Sequence, residues 1–142
     1  MASINPYLNF PGTCAQAFDF YKSVFGGEFV ARMTFGETPK EAGMPVADAD
    51  KNRIMHVSLP IGKDTVLMGS DRASFMGPGV TGDNFAVSLQ TDSKAEADKL
   101  FTGLSAGGNV TMPLVDAFWG AYFGMFTDKF GINWMVNCEK KA

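Results

Sequence analysis

The chain has a single histidine, His56. That scarcity alone removes a two-histidine, one-carboxylate metal site from any one chain. Cysteine is almost as scarce. Cys14 and Cys138 stand too far apart to make a disulfide framework or a zinc motif. Cys14 falls where a helix begins, a place that can lower a thiol pKa, but it reads best as a small semi-buried hydrophobe. Basic charge is not in excess: 12 Lys and Arg face 15 Asp and Glu, for a net charge of −3, with no basic run or stripe. Nucleic acid and anionic membrane are therefore not expected partners. No apolar stretch approaches the roughly 18 residues that span a bilayer. The first residues, Met1-Ala2-Ser3-Ile4-Asn5-Pro6, lack the charged and apolar regions of a signal peptide, so the cytoplasm is the expected location. No glycine-rich loop follows a strand, and a nucleotide-type methyl-donor site has no support. Paired carboxylates, a nucleophile with its base and a phosphate-cradling loop are missing too. Glu37 and Glu41 read as solvated charge in a loop.

What the sequence does have is apolar bulk. Thirteen Phe and nine Met stand against three Tyr in 142 residues, enough for one domain with a sizeable core. Methionine also suits the walls of an adaptable pocket.

The chain reads as one pattern used twice. Ile4 to Phe10 is a short apolar strand broken by Pro11-Gly12. Thr13 and Gln16 form a capping-box pattern, and Cys14, Phe18, Tyr21 and Phe25 make one apolar helical stripe. Gly26-Gly27 ends that helix, and Glu28 to Phe35 returns as a strand. From Asp83 the pattern restarts. Asn84 to Thr91 alternates as a half-buried strand; Ser93 and Glu96 form a second capping box; Ala97, Leu100, Phe101 and Leu104 form the stripe; Gly107-Gly108 ends the helix, and Asn109 to Val115 is the next strand. The offset is about 80 residues, setting Ala17 against Ala97 and Tyr21 against Phe101. Each half then closes with a hairpin: Met55 to Ile61 with Thr65 to Gly69, and Ala121 to Thr127 with Ile132 to Asn137. These align His56 with Tyr122 and Met68 with Met135. A repeat this long covers the whole chain. The reading is α+β: two tandem βαβββ modules, one at about 3–70 and one at about 83–138, joined by a segment at about 71–82. The joining segment carries Phe75-Met76, apolar residues of the kind that pack over a pocket or a partner. Gly36 to Asn52 is a long polar loop, a length usually reserved for mobile or functional segments. Asp71 ends a strand and is expected to cap or pair. Asp128, opening Asp128-Lys129-Phe130-Gly131, reads as turn chemistry.

A βαβββ module used twice resembles the vicinal oxygen chelate superfamily of glyoxalase I, extradiol dioxygenases and bleomycin and fosfomycin resistance proteins. The sequence is most similar to its PhnB-like branch. The matching pieces are Asn5-Pro6-Tyr7-Leu8-Asn9-Phe10, Phe20-Tyr21-Lys22, Phe35-Gly36-Glu37-Thr38-Pro39, Met55-His56-Val57, Val66-Leu67-Met68-Gly69-Ser70-Asp71, Phe118-Trp119-Gly120, Thr127-Asp128-Lys129-Phe130-Gly131 and Trp134-Met135-Val136-Asn137. The resemblance implies a single domain with the glyoxalase/bleomycin-resistance/dihydroxybiphenyl-dioxygenase-like fold, a curved, open sheet around a cavity, and a homodimer. Metal-using members place hard ligands on four cavity-facing strands. Laid on the glyoxalase I pattern, those positions fall on Asn5 or Pro6, Met68, Phe85 and Met135. Divalent metals want oxygen or nitrogen donors, so no metal centre and no cofactor are expected.

Without metal, His56 is the candidate catalytic side chain, because it alone exchanges protons readily near neutral pH. The weighed alternative is a histidine satisfied by neighbouring backbone or packed at a dimer interface. Tyr7, Asn9, Trp119 and Tyr122 are amphipathic or polar groups on predicted strands, and Met68, Phe85 and Met135 are the apolar residues at the former ligand positions. All seven are candidate ligand contacts. The function expected first is small-molecule binding in a largely apolar cavity, sequestering or carrying a ligand. The second is a glyoxalase- or dioxygenase-like lyase or isomerase using His56 or a metal site of another kind.

Overall fold

A computed structural model describes residues 2–37 and 46–139. The chain divides into two compact units, Met1–Val80 and Thr81–Ala142. The first contains β1 (Tyr7–Phe10), α1 (Cys14–Phe25), β2 (Ala31–Thr34), β3 (Ile54–Ile61) and β4 (Thr65–Asp71). The second contains β5 (Val87–Gln90), α2 (Lys94–Ser105), β6 (Asn109–Asp116), β7 (Ala121–Thr127) and β8 (Asn133–Glu139). Each is the predicted βαβββ module, and the fold is α+β. The strand orders correspond: β1-β4-β3-β2 in one sheet and β5-β8-β7-β6 in the other. In each, the first strand runs parallel to the last, and the remaining pairs are antiparallel.

Each helix covers one face of its sheet. In the first unit, Phe18 and Tyr21 of α1 are fully buried with Leu8, Phe10, Val57, Leu59 and Leu67 from the strands. Phe18 lies so close to Gly69 that a Cβ there would come within 2.6 Å of its ring. In the second unit, a Cβ on Gly124 would meet the ring of Phe101 at 2.7 Å. Both glycines admit an aromatic ring to the strand backbone. The core of the second unit is Ala97, Phe101 and Leu104 of α2 against Phe126, Trp134 and Val136.

The two helices start differently. Ser93 accepts a hydrogen bond from the Glu96 amide at 3.1 Å, as its sequence pattern predicts. Thr13 does not cap α1. Its backbone, at φ −105° and ψ 12°, leaves the extended geometry a capping residue adopts, and its side chain makes no cap bond. Asp71, at the far end of β4, supplies the oxygen instead. Its Oδ1 accepts from the amides of Gly12 at 3.0 Å and Cys14 at 2.9 Å, while Oδ2 accepts from the Ile54 amide at 2.8 Å. In the second unit Asp128 plays a comparable part. It accepts from the amides of Phe130 and Ile132 and from the indole of Trp134 at 2.9 Å, and so fixes the β7–β8 turn.

Three strands are shorter than the sequence pattern predicts. β1 begins at Tyr7 rather than Ile4, where its pairing with β4 starts. β2 begins at Ala31 rather than Glu28, because Gly26 and Gly27 both take left-handed φ values of 78° and 80° and delay the ladder. It ends in a short 3-10 turn, Phe35–Glu37. β5 begins at Val87 rather than Asn84, because its partner β8 begins only at Asn133, after the turn that Asp128 holds. Of the long loop, residues 38–45, including Glu41, lie outside the described residues. The rest is ordered by Asp50, which is 2% exposed and accepts from the Ser74 amide and hydroxyl at 2.9 and 2.7 Å. Those bonds hold the Asp50 carboxyl below the usual carboxylate range. Arg53 donates to the Arg72 carbonyl at 2.9 Å, so loop and joining segment are fastened together. Phe75 and Met76 remain exposed.

Cys14 is fully buried. Burial, with the Asp71 carboxylate beside it, pushes its thiol up to about 12. Iodoacetamide at pH 8 should therefore leave Cys14 of the native chain unmodified and alkylate it after unfolding in urea, with mass spectrometry as the readout. Because the folded pKa lies above the unfolded one, the unfolded chain ionises first. The thiol's contribution to stability is complete below about pH 9 and is lost as pH rises toward 12. Denaturant titrations of the native chain and Cys14→Ala between pH 8 and 10 should show a shallower alkaline decline in the variant. Asp71→Asn should cost about 3 kcal/mol in the same assay, since an amide cannot accept three backbone donors with the same charge-assisted bonds. Ser93→Ala should cost only about 1 kcal/mol.

Candidate functional site

The sheet face opposite α1 is built by strand alternation. Residues that share a face recur every second position, so the inward Leu8, Phe10, Val57, Leu59 and Leu67 leave Tyr7, Asn9, His56, Ser58 and Met68 on the other side. The hydrogen-bond register sets Tyr7 beside Met68, Asn9 beside Ser70 and Met68 beside Ser58. On this face the Tyr7 hydroxyl lies 3.0 Å from His56 Nδ1, and His56 Nε2 lies 2.8 Å from Ser58 Oγ. The two rings stack at 5.7 Å between centroids, tilted by 29°. Ser70 donates to Asn9 Oδ1 at 3.2 Å. Tyr7 remains 44% exposed, so the outer end of the chain is open to a ligand. Hydroxyls donate and accept, and the imidazole can carry its proton on either nitrogen. The Tyr7–His56–Ser58 chain can therefore run in either direction and offer an incoming polar group a donor or an acceptor.

Four of the predicted residues, Tyr7, Asn9, His56 and Met68, are thus brought together on one strand face. Ser58 and Ser70 complete the network and were not singled out from the sequence. The signal for Ser58 was present: it stands two residues from His56 on one strand.

In the second unit the open face carries Ser88 beside Met135, Gln90 beside Asn137 and Met125 beside Met135. Asn137 donates to Gln90 Oε1 at 2.8 Å, the counterpart of the Ser70–Asn9 bond. Trp119 stands on the β6–β7 turn with its ring 5.5 Å from that of Phe123. Tyr122 is not on this face. It points to the helix side and donates to Asp98 of α2 at 2.5 Å, a bond that raises its phenol pKa, and Lys94 sits 4.8 Å over its ring. The cause is one residue of register. With Met68 and Met135 equivalent, Gly69 corresponds to Val136, and their partners Val57 and Gly124 correspond in turn. His56 therefore matches Phe123, not Tyr122, and a slip of one residue turns a side chain to the opposite face. Phe85 precedes β5 and is 62% exposed.

The pairing also tests the family's metal against the residues present. Met68 and Met135 keep equivalent positions on the open faces, and the neighbouring first-strand residues are Tyr7 and Ser88. Thioethers, a phenol and a hydroxyl are not the imidazole and carboxylate donors a divalent ion of this kind takes. Among the described residues, no cluster of three or more His, Cys, Asp or Glu is placed to hold a metal ion. The residues do not fit the group. Among the same residues, no helix is long and apolar enough to cross a membrane.

Comparison with known proteins agrees with this architecture. Residues 3–136 match the family model of the glyoxalase/bleomycin resistance protein/dioxygenase superfamily. The chain is 32% identical to protein YjdN of Escherichia coli K12, over 97% of this chain and 96% of that one. The crystal structure of protein PA1353 from Pseudomonas aeruginosa superposes with a TM-score of 0.87 at 45% identity, covering 99% of this chain and all of that one. A PhnB protein from Bacillus cereus shares the fold, with a TM-score of 0.69 at 22% identity over 96% of this chain and 99% of that one. A module repeated in both units, the matched strand orders and a family match that runs almost the length of the chain agree: the protein belongs to the glyoxalase/bleomycin resistance protein/dioxygenase superfamily.

Proposed function

We propose that this chain is a small-molecule-binding member of its superfamily, which sequesters or carries a ligand on the open strand face of its first module without the family's metal centre. The observation that carries this reading is the Tyr7–His56–Ser58 hydrogen-bond chain beside Met68. A thioether occupies a metal-ligand position, and the polar groups around it satisfy one another rather than converge on an ion. Such a face grips a ligand by an apolar floor and a few oriented polar groups. Tyr7, Asn9 and Met68 are the contacts, with His56 orienting the Tyr7 hydroxyl. Met135 and Trp119 serve the same role on the open face of the second module. A homodimer in the cytoplasm completes the reading. Exposed Val110, Met112 and Val115 on edge strand β6 support it, and light scattering should give twice the chain mass.

Native mass spectrometry of the purified chain tests the binding reading. A retained small molecule is expected, with its occupancy reduced about tenfold in Tyr7→Phe, which loses a single hydrogen bond worth about 1.5 kcal/mol. Elemental analysis should find divalent metal well below one ion per chain. Stoichiometric metal that Met68→Ala or His56→Ala removes would overturn the reading.

The same hydrogen-bond chain favours a second reading, a metal-independent lyase or isomerase in which His56 moves a proton to or from a ligand through Tyr7. Turnover abolished in His56→Ala while ligand occupancy persists would establish it over carriage.

A further inference from the structure

A separate pocket lies wholly within the second unit, and its chemistry differs from that of the Tyr7–His56 face. The β6–β7 turn is closed by two backbone bonds, Ala117 N–H to the Ala121 carbonyl at 2.7 Å and Gly120 N–H to the Ala117 carbonyl at 3.1 Å. Gly120 takes a φ of 92°, a conformation that a side-chain-bearing residue adopts only with strain. This turn lifts Phe118 and Trp119 off the sheet, with their rings edge to face at 5.1 Å. Beneath it β8 passes with Asn137 and Glu139 on the open face, Glu139 opposite Ala121. Between them is a cavity of about 250 Å³ lined by Trp119, Gly120, Ala121, Asn137 and Glu139.

The polar character of that cavity is one-sided. The Gly120 amide is already used within the turn. The Asn137 amide donates to Gln90 Oε1 at 2.8 Å, and Gln90 Nε2 donates on to Ser88 Oγ at 3.4 Å. That leaves Asn137 Oδ1 as an acceptor. The Glu139 carboxylate has no ion-pair partner among the described residues. The Trp119 indole is part of the lining, and an indole ring attracts cations over its face. Among the described residues, an anion would meet the carboxylate and no basic side chain in the lining. A metal ion would find one carboxylate where several hard ligands are needed. An organic cation meets all three groups with complementary charge.

We propose that the Trp119–Glu139 pocket binds small organic cations of the alkylammonium class, with Trp119 covering the charge and Glu139 neutralising it. The pocket shares Trp119 with the ligand face proposed above but not the Tyr7–His56–Ser58 chain, so Tyr7→Phe tests that reading and leaves this one untouched.

The test is a ¹H–¹⁵N NMR titration of the full chain with tetramethylammonium chloride at constant ionic strength. The chain has two tryptophans, so the spectrum carries its own control. Trp119 lines the pocket, whereas Trp134 is 1% exposed and bound to Asp128. The Trp119 indole N–H should shift saturably and that of Trp134 should not. Sodium acetate and tert-butanol, an anion and a neutral molecule of similar bulk, should produce no saturable shift. Glu139→Gln, an exposed isosteric change, should weaken tetramethylammonium binding about tenfold or more. Trp119→Leu, followed on the Gly120 and Ala121 amides, should abolish it. The proposal is overturned if tert-butanol or acetate shifts the Trp119 indole as tetramethylammonium does, if Glu139→Gln binds the ammonium at the native affinity, or if no saturable shift appears.

Discussion

The first module hangs on one carboxylate. Asp71 terminates β4, yet the backbone donors it satisfies belong to the β1–α1 turn and to the start of β3. Each of those amides would cost about 1–3 kcal/mol if buried without an acceptor. One side chain therefore fixes the helix start, the end of the last strand and the beginning of the strand that carries His56. It also explains why α1 needs no capping residue of its own and why Cys14 is held as an inert thiol. Burial disfavours the thiolate, and the carboxylate beside the sulfur adds to it. The second module spends its buried carboxylate differently: Asp128 holds a hairpin turn and the Trp134 indole, and Ser93 is left to cap α2.

From that anchoring follows the geometry of the candidate site. β1 lies beside β4, and Asp71 fastens their common end, so Tyr7 is set beside Met68 and within reach of His56 across β4. The helix claims the other face of the sheet, in each module with one aromatic ring seated on the backbone of a strand glycine. Strand alternation then leaves one face of the first sheet to polar groups that satisfy each other and to a methionine. The chemistry of that face is a consequence of where the core had to go.

The modular fold was legible in the sequence because it rests on long-range signals: apolar periodicity, glycine pairs after both helices, and two hairpins in the same order. What was not legible were interactions that join distant positions through a single atom. Thr13 and Gln16 carry the local pattern of a cap, but the oxygen that caps α1 comes from Asp71, 57 residues from Cys14. Tyr7, Asn9, His56 and Met68 could be chosen as site residues, while the bond between Tyr7 and His56 depends on the order β1-β4-β3, which no local pattern states. Tyr122 illustrates the sharpest limit. Aligning the repeats by residue type set it against His56. The pairing of Gly124 with Val136 shifts the match by one, and that one residue is the difference between the open face and the helix.

The corrected register also changes what the duplication means. Equivalent strand positions have kept their geometry and diverged in chemistry. Asn9 and Ser70 of one module correspond to Gln90 and Asn137 of the other, and each pair is joined across its parallel strands by a hydrogen bond. Met68 and Met135 remain identical. Around those shared positions the first module has gathered an imidazole–hydroxyl chain, and the second an indole and a carboxylate. A symmetric pair of modules suits a symmetric target such as one metal ion held by ligands from both. With methionine at both equivalent positions, their chemistry does not hold the two faces to one task. Each is then free to differ, the first presenting an imidazole and hydroxyls and the second an indole and a carboxylate.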